Sequence, residues 1–253
     1  MKLNHFLPII SAVILFISWE VLIYKPTTFF YILAIVIATV LISVLKLNSF
    51  KAKKRDIWLL LMPVALLSSL ATVFLLLLNT KWIQHLVALI IAVVCYYFLQ
   101  YLHNFLCRIT AYKPLSLESS SSYFIVVSYL FLGISTYGFM NFLNARLWYL
   151  ALIIIIVTFF ASYQIFWINK IDDKHNLFAS ILLSMLMVEF FWSISFFPVS
   201  HFISGLGLAI IYYVIVNLSM LYFLDKIDKK MVKMYLSIGL GCLLVILLSA
   251  RWL

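Results

Sequence analysis

Glu189 is a carboxylate flanked by Met187, Val188, Phe190, Phe191 and Trp192, with no other polar side chain in that stretch. An ionised acid near the centre of an apolar helix costs about 2.5–3.5 kcal/mol on insertion scales for comparable residues, so such a group is expected to be protonated, partnered or turned to water. A carboxyl that can change protonation there can carry a proton, bind a cationic group or act as a general acid or base. The plainer alternative is a hydrogen bond joining two helices, and one acid alone does not decide between them.

Other polar residues would share its half of the membrane. Glu20 lies a turn from the end of another apolar run, where an interfacial acid near Lys25 is a sufficient explanation. Under the topology derived below, Glu20, His85, Asn141, Asn144, Arg146, Glu189 and His201 all fall in the outer half. The expectation is an outward-facing cavity or ion pathway made of Glu189, Trp192, His85, His201, Tyr96, Tyr212, Glu20 and Arg146. A second polar set, Gln100, His103, Asn104, Gln164 and Asn217, falls toward the other side and reads as interhelical hydrogen bonding.

Nine apolar runs have to position these residues: His5 to Tyr24, Thr27 to Leu47, Ile57 to Asn79, Trp82 to Cys107, Tyr123 to Leu143, Leu147 to Ile168, Leu177 to Phe197, Ile203 to Leu224 and Met231 to Ala250. About 20 apolar residues span the hydrocarbon core as a helix. With 66% hydrophobic and 10% charged residues, the chain lacks the polar surface of a soluble domain. Alternation suited to a transmembrane barrel is missing, and helices satisfy the backbone within lipid. The fold class expected is therefore all-α: one polytopic transmembrane bundle over residues 1–253, with no soluble domain.

Lys and Arg set the orientation. Of the 18, fourteen lie on one side of the proposed spans; only Lys25, Lys81, Arg146 and Arg251 lie on the other. The positive-inside rule then places the N-terminus in the cytoplasm and the C-terminus outside. The net charge of +10 follows from these loops facing anionic lipid head groups rather than from a nucleic-acid partner. The first run resembles a signal peptide but lacks a small-residue cleavage site, so it is expected to stay as the first helix. Trp58 and Trp167 at one set of ends, and Trp19, Trp82, Trp148 and Trp252 at the other, suit two interfacial belts. Ser116 to Ser122, with Glu118, reads as a polar first helical turn. Cys95, Cys107 and Cys242 lie within runs and give no disulfide framework.

An internal echo recurs at an offset of 116 residues: His85, Tyr96 and Tyr97 match His201, Tyr212 and Tyr213, and Ser68 and Phe74 match Ser184 and Phe190. Taken as duplication it implies a parallel 4 + 4 + 1 repeat; chance in a chain with 15 Tyr is the alternative. No run holds the central Lys that a retinal Schiff base needs, and the His placement suits haem poorly. Protease motifs, an acidic metal cluster and a P-loop are also missing from the sequence, so no cofactor is expected. Only six Gly occur, which disfavours the broken helices common in transporters. Pro63 and Pro198 are the proline candidates for a break.

Tyr112, Ser116-Leu-Glu118, Glu189-Phe-Phe-Trp192 with Pro198, Tyr212-Tyr213, Tyr235 and Arg251-Trp252 together resemble an uncharacterised family of small multi-pass bacterial membrane proteins from environmental lineages with reduced genomes. The resemblance covers the C-terminal half to two-thirds. It implies an integral protein of the bacterial cytoplasmic (inner) membrane and supplies no activity. The functional expectation from the residues is a small-solute or proton-linked transporter or permease-like bundle. The alternatives are a structural or assembly subunit, and an enzyme using Glu189 and a His on a lipid substrate.

Overall fold

The computed structural model describes residues 6–48, 54–107 and 116–249. Among them are nine helices and no strand: α1 (Leu7–Tyr24), α2 (Phe29–Asn48), α3 (Lys54–Leu77), α4 (Lys81–Cys107), α5 (Ser116–Leu143), α6 (Leu147–Ile168), α7 (Asp173–Ile194), α8 (His201–Phe223) and α9 (Lys229–Ser249). Each is long and apolar enough to cross a bilayer. The chain is an all-helical protein with the character of an integral, multi-pass membrane protein. Of the charges used for orientation, Lys2, Lys51, Lys53, Arg108, Lys113 and Arg251 lie outside the described residues, as do Tyr112 and Trp252.

Helix ends depart from the apolar runs where polar residues extend a helix. α5 begins at Ser116 with Glu118 in its first turn, and α7 begins at Asp173 rather than Leu177. Pro63 lies inside α3, which runs on as one helix. α6 and α8 end on residues in the left-handed region, Lys170 (φ 62) and Asp225 (φ 52). In both, the next N–H returns to a carbonyl five residues back, Ile171 to Phe166 at 3.1 Å and Lys226 to Leu221 at 3.0 Å, which is the Schellman closure. α5 ends on Asn144 (φ 50).

The chain divides into two compact units, Met1–Ser128 and Tyr129–Leu253. In the first, α1 packs on α4, α2 and α3. Each contact carries a polar tie: Ser11 to Ser43 of α2 at 2.6 Å, the Trp19 indole N–H to Thr72 of α3 at 2.9 Å, and Glu20 to His85 of α4 at 2.9 Å. Trp19 is fully buried, so it is not a member of an interfacial belt. Its indole instead fills the α1–α3 contact, where the N–H finds a hydroxyl. Trp58, Trp82 and Trp148 are exposed, as a belt requires.

In the second unit α6 and α7 form an antiparallel hairpin, and α8 packs on α7 and α9. α5 crosses α8 so closely that a Cβ on Gly133 would lie 2.8 Å from the Gly205 carbonyl oxygen. Small residues permit that approach where lipid supplies no hydrophobic drive between helices. α9 is 6% buried and leans on α8.

Candidate functional site

Glu20 and His85 are the two expected site residues that the structure brings together. The imidazole Nδ1 stands 2.9 Å from the Glu20 carboxylate oxygens, and the two side chains are 24% and 34% exposed. Tyr24, one turn beyond Glu20, places its ring 5.8 Å from the imidazole. The contact joins a carboxylate to an imidazole ring nitrogen and ties α1 to α4 at this point. Tyr96 belongs to the same unit but lies eleven residues along α4 from His85, roughly 16 Å away. It borders a groove between α1 and α4 rather than the carboxylate.

Glu189 sits elsewhere than in a lined interior. α7 turns Asn176, Ala179, Ser180, Leu183, Ser184, Met187 and Phe191 inward. The opposite stripe, at spacings of three and four, is Phe178, Leu182, Met185, Glu189 and Trp192, all exposed. The carboxyl is thus on the outward, apolar face, with Met185 at 64% and Trp192 at 56% exposure on either side. Among the described residues nothing hydrogen-bonds its carboxylate; only its backbone carbonyl is engaged, by Ser193 at 2.8 Å. Because α7 begins at Asp173, Glu189 also lies in the last third of the helix, about 8 Å from its midpoint and not at it.

Arg146 is exposed, at the start of α6. His201, the first residue of α8, stands 4.2 Å from the Phe202 ring and 5.1 Å from that of Phe142, and its Nε2 is buried with no hydrogen-bond partner among the described residues. Tyr212 is fully buried. It stacks on Tyr129 with ring centroids 3.8 Å apart and planes 9° from parallel. The Tyr129 hydroxyl meets Thr158 at 2.8 Å, and the Tyr212 hydroxyl meets Ser162 at 3.4 Å, one turn further along α6. Tyr137, two turns along α5, donates to the Phe191 carbonyl at 2.9 Å. This buried tyrosine and hydroxyl seam ties α5, α6, α7 and α8. Sequence reasoning missed Tyr129, Tyr137 and Thr158; the signal was the i, i+4 spacing of Thr158 and Ser162 within an otherwise apolar stretch of α6.

The members of the echo occupy different surroundings. His85 meets a carboxylate while His201 meets two phenylalanines, and Tyr96 edges an open groove while Tyr212 is sealed in a core. The structure lends the 4 + 4 + 1 repeat no support. Of the second polar set, Asn217 donates to the Tyr213 carbonyl of its own helix at 2.7 Å. No known protein family, curated protein or solved structure matches this chain, so the reading of its sites rests on their own geometry.

Proposed function

We propose that the protein is a membrane-embedded subunit of a larger assembly, and that α7 around Glu189 is the face it offers to a partner. The observation that carries this reading is the exposed carboxyl within an apolar stripe, with no partner among the described residues. A carboxyl turned to lipid is costly, and the cost is relieved by a hydrogen-bond donor arriving at the same depth. The fitting occupant is a transmembrane helix carrying a Lys, Arg or side-chain amide there, with its own apolar side chains against Met185 and Trp192. Such intramembrane hydrogen bonds contribute about 0.6–2 kcal/mol, enough to select a partner already packed by shape.

A photo-crosslinking residue at Met185 or Trp192, in native membranes, tests the reading. One discrete heteromeric adduct is expected, retained with Glu189→Gln, lost with Glu189→Leu, and not formed from Ile156 on the exposed face of α6. Adducts at twice the chain's own mass would make the partner a second copy, and equal labelling from Ile156 would make the contact random; either result removes the proposal.

A proton-linked transporter is the second reading, favoured by the Glu20–His85 contact, since a half-exposed acid and imidazole in contact are able to pass a proton. An acid–base pair for an enzyme would also be drawn from this contact, because among the described residues no imidazole stands beside Glu189. Proton uptake into vesicles that survives in Glu189→Leu and fails in His85→Gln would favour transport over assembly.

A further inference from the structure

A groove of about 540 Å³ runs along α9, and its lining changes in a fixed order. It starts at Asp228, just ahead of the helix, and reaches Leu240 about three turns further on. Lys229 and Lys233 line its first turn, Ser237 follows one turn beyond Lys233, and Leu236 and Leu240 line the far end. Val232, half-buried, borders it on the side where α9 leans on α8. From Met234 to its end at Ser249 the helix carries no charged residue. That stretch belongs at hydrocarbon depth, and the two lysines just before it belong among the lipid head groups.

Lys229 and Lys233 are four residues apart, which sets them on one helix face with Cβ atoms about 6 Å from each other. Like charges at that spacing repel, and an anion between them turns repulsion into attraction. With Asp228 the lining holds two ammonium groups and one carboxylate, so positive charge is in excess by one. The carboxylate only accepts hydrogen bonds, so whatever lies beyond the anion has to donate one. We propose that the groove binds a singly anionic phospholipid with a hydroxylated head group, the chemistry of phosphatidylglycerol. The phosphate lies between Lys229 and Lys233, a head-group hydroxyl donates to Asp228, and an ester carbonyl accepts from Ser237. One acyl chain then lies over Leu236 and Leu240. Head group, phosphate, ester and chain succeed one another in the lipid as their partners do along α9. A zwitterionic lipid leaves the excess positive charge unmatched, and a choline head group has no N–H or O–H for Asp228.

The test uses the full chain reconstituted in nanodiscs of equal parts phosphatidylglycerol, phosphatidylethanolamine and phosphatidylcholine, then released into detergent for native mass spectrometry. The expected result is one retained phosphatidylglycerol per chain. Lys229→Gln and Lys233→Gln are each expected to lower the retained fraction roughly two- to fivefold, as losing one exposed charge contact does. Lys230 is exposed in the same turn but does not line the groove, so Lys230→Gln is expected to leave retention unchanged. All three side chains are exposed, and matching melting temperatures are expected to separate lost binding from lost folding. If one of the two groove variants melts early, the other decides against Lys230→Gln. An equal loss in Lys230→Gln would make the attraction a property of the whole basic surface. That result, retained lipid that mirrors the input mixture, retention unaffected by the groove variants, or a preference for phosphatidylethanolamine overturns the site.

Discussion

Gly205 of α8 rests directly on the backbone of Ile134 in α5: a Cβ built on that glycine would stand 2.6 Å from the Ile134 Cα. Neither helix backbone can move aside the way a side chain tip can. Gly205→Ala is therefore expected to force the two helices apart and cost about 1–3 kcal/mol, as overpacked cores do. Gly241→Ala meets nothing within 4 Å and should be silent. Thermal unfolding of both variants in the same detergent checks the contrast; equal melting temperatures would mean α5 and α8 do not cross at these glycines.

Glu189→Leu is expected to leave the isolated protein as stable as before, or slightly more so. The carboxyl contributes no contact to its own unit, and replacing it removes a polar group from an apolar stripe. A large loss of stability in Glu189→Leu that Glu189→Gln avoids would show an internal partner for the acid.

Removing the Tyr129 hydroxyl with Tyr129→Phe is expected to cost about 0.5–1.5 kcal/mol, the usual net value of one hydrogen bond. Thr158→Val should cost a similar amount, and the double variant little more than either single one. Additive losses in that double-mutant cycle would mean that the 2.8 Å contact is not an energetic pair.

Lys170→Gly and Asp225→Gly should each raise stability by up to about 1 kcal/mol, because a left-handed conformation strains an L-residue and not glycine. Asn144→Gly should gain less, since asparagine tolerates that region. Chemical denaturation of the three variants is the measurement.

Orientation is open to direct labelling. In a cysteine-free background, a cysteine placed beside Arg146 or after Ser200 is expected to react with an impermeant thiol reagent applied from outside, and one beside Lys229 is not. The charge asymmetry of the loops gives that direction, and reversed labelling would overturn it.

The existence of nine helices was legible because each apolar run is long enough to span lipid. Which face of α7 turns inward was not. In a soluble helix the apolar stripe marks the core, but in lipid both faces are apolar and the contrast vanishes. What marks the packed face of α7 is small and polar residues, Asn176, Ala179, Ser180 and Ser184, which let helices approach and bond. Reading that stripe first would have put Glu189 on the outside. The start of α7 was missed for a related reason: Asp173 to Asn176 are polar, so hydropathy ends the run while the helical ladder continues. Glu20 and His85 were both expected near one surface, but their contact depends on α1 packing against α4, a long-range pairing that no local pattern encodes.

The three polar ties of α1 come from partners spaced 32, 53 and 65 residues downstream. During synthesis the first helix therefore meets α2, then α3, then α4, each arrival satisfying one more group along it. Glu20 waits longest: at about 5–20 residues per second, His85 is made roughly 3–13 seconds after it. For that interval the carboxyl of a newly made α1 has no imidazole to hold it, and must be carried by water, lipid head groups or the insertion machinery. A segment that begins life as a lone apolar helix with a bare acid near one end becomes the axis on which its own unit is assembled.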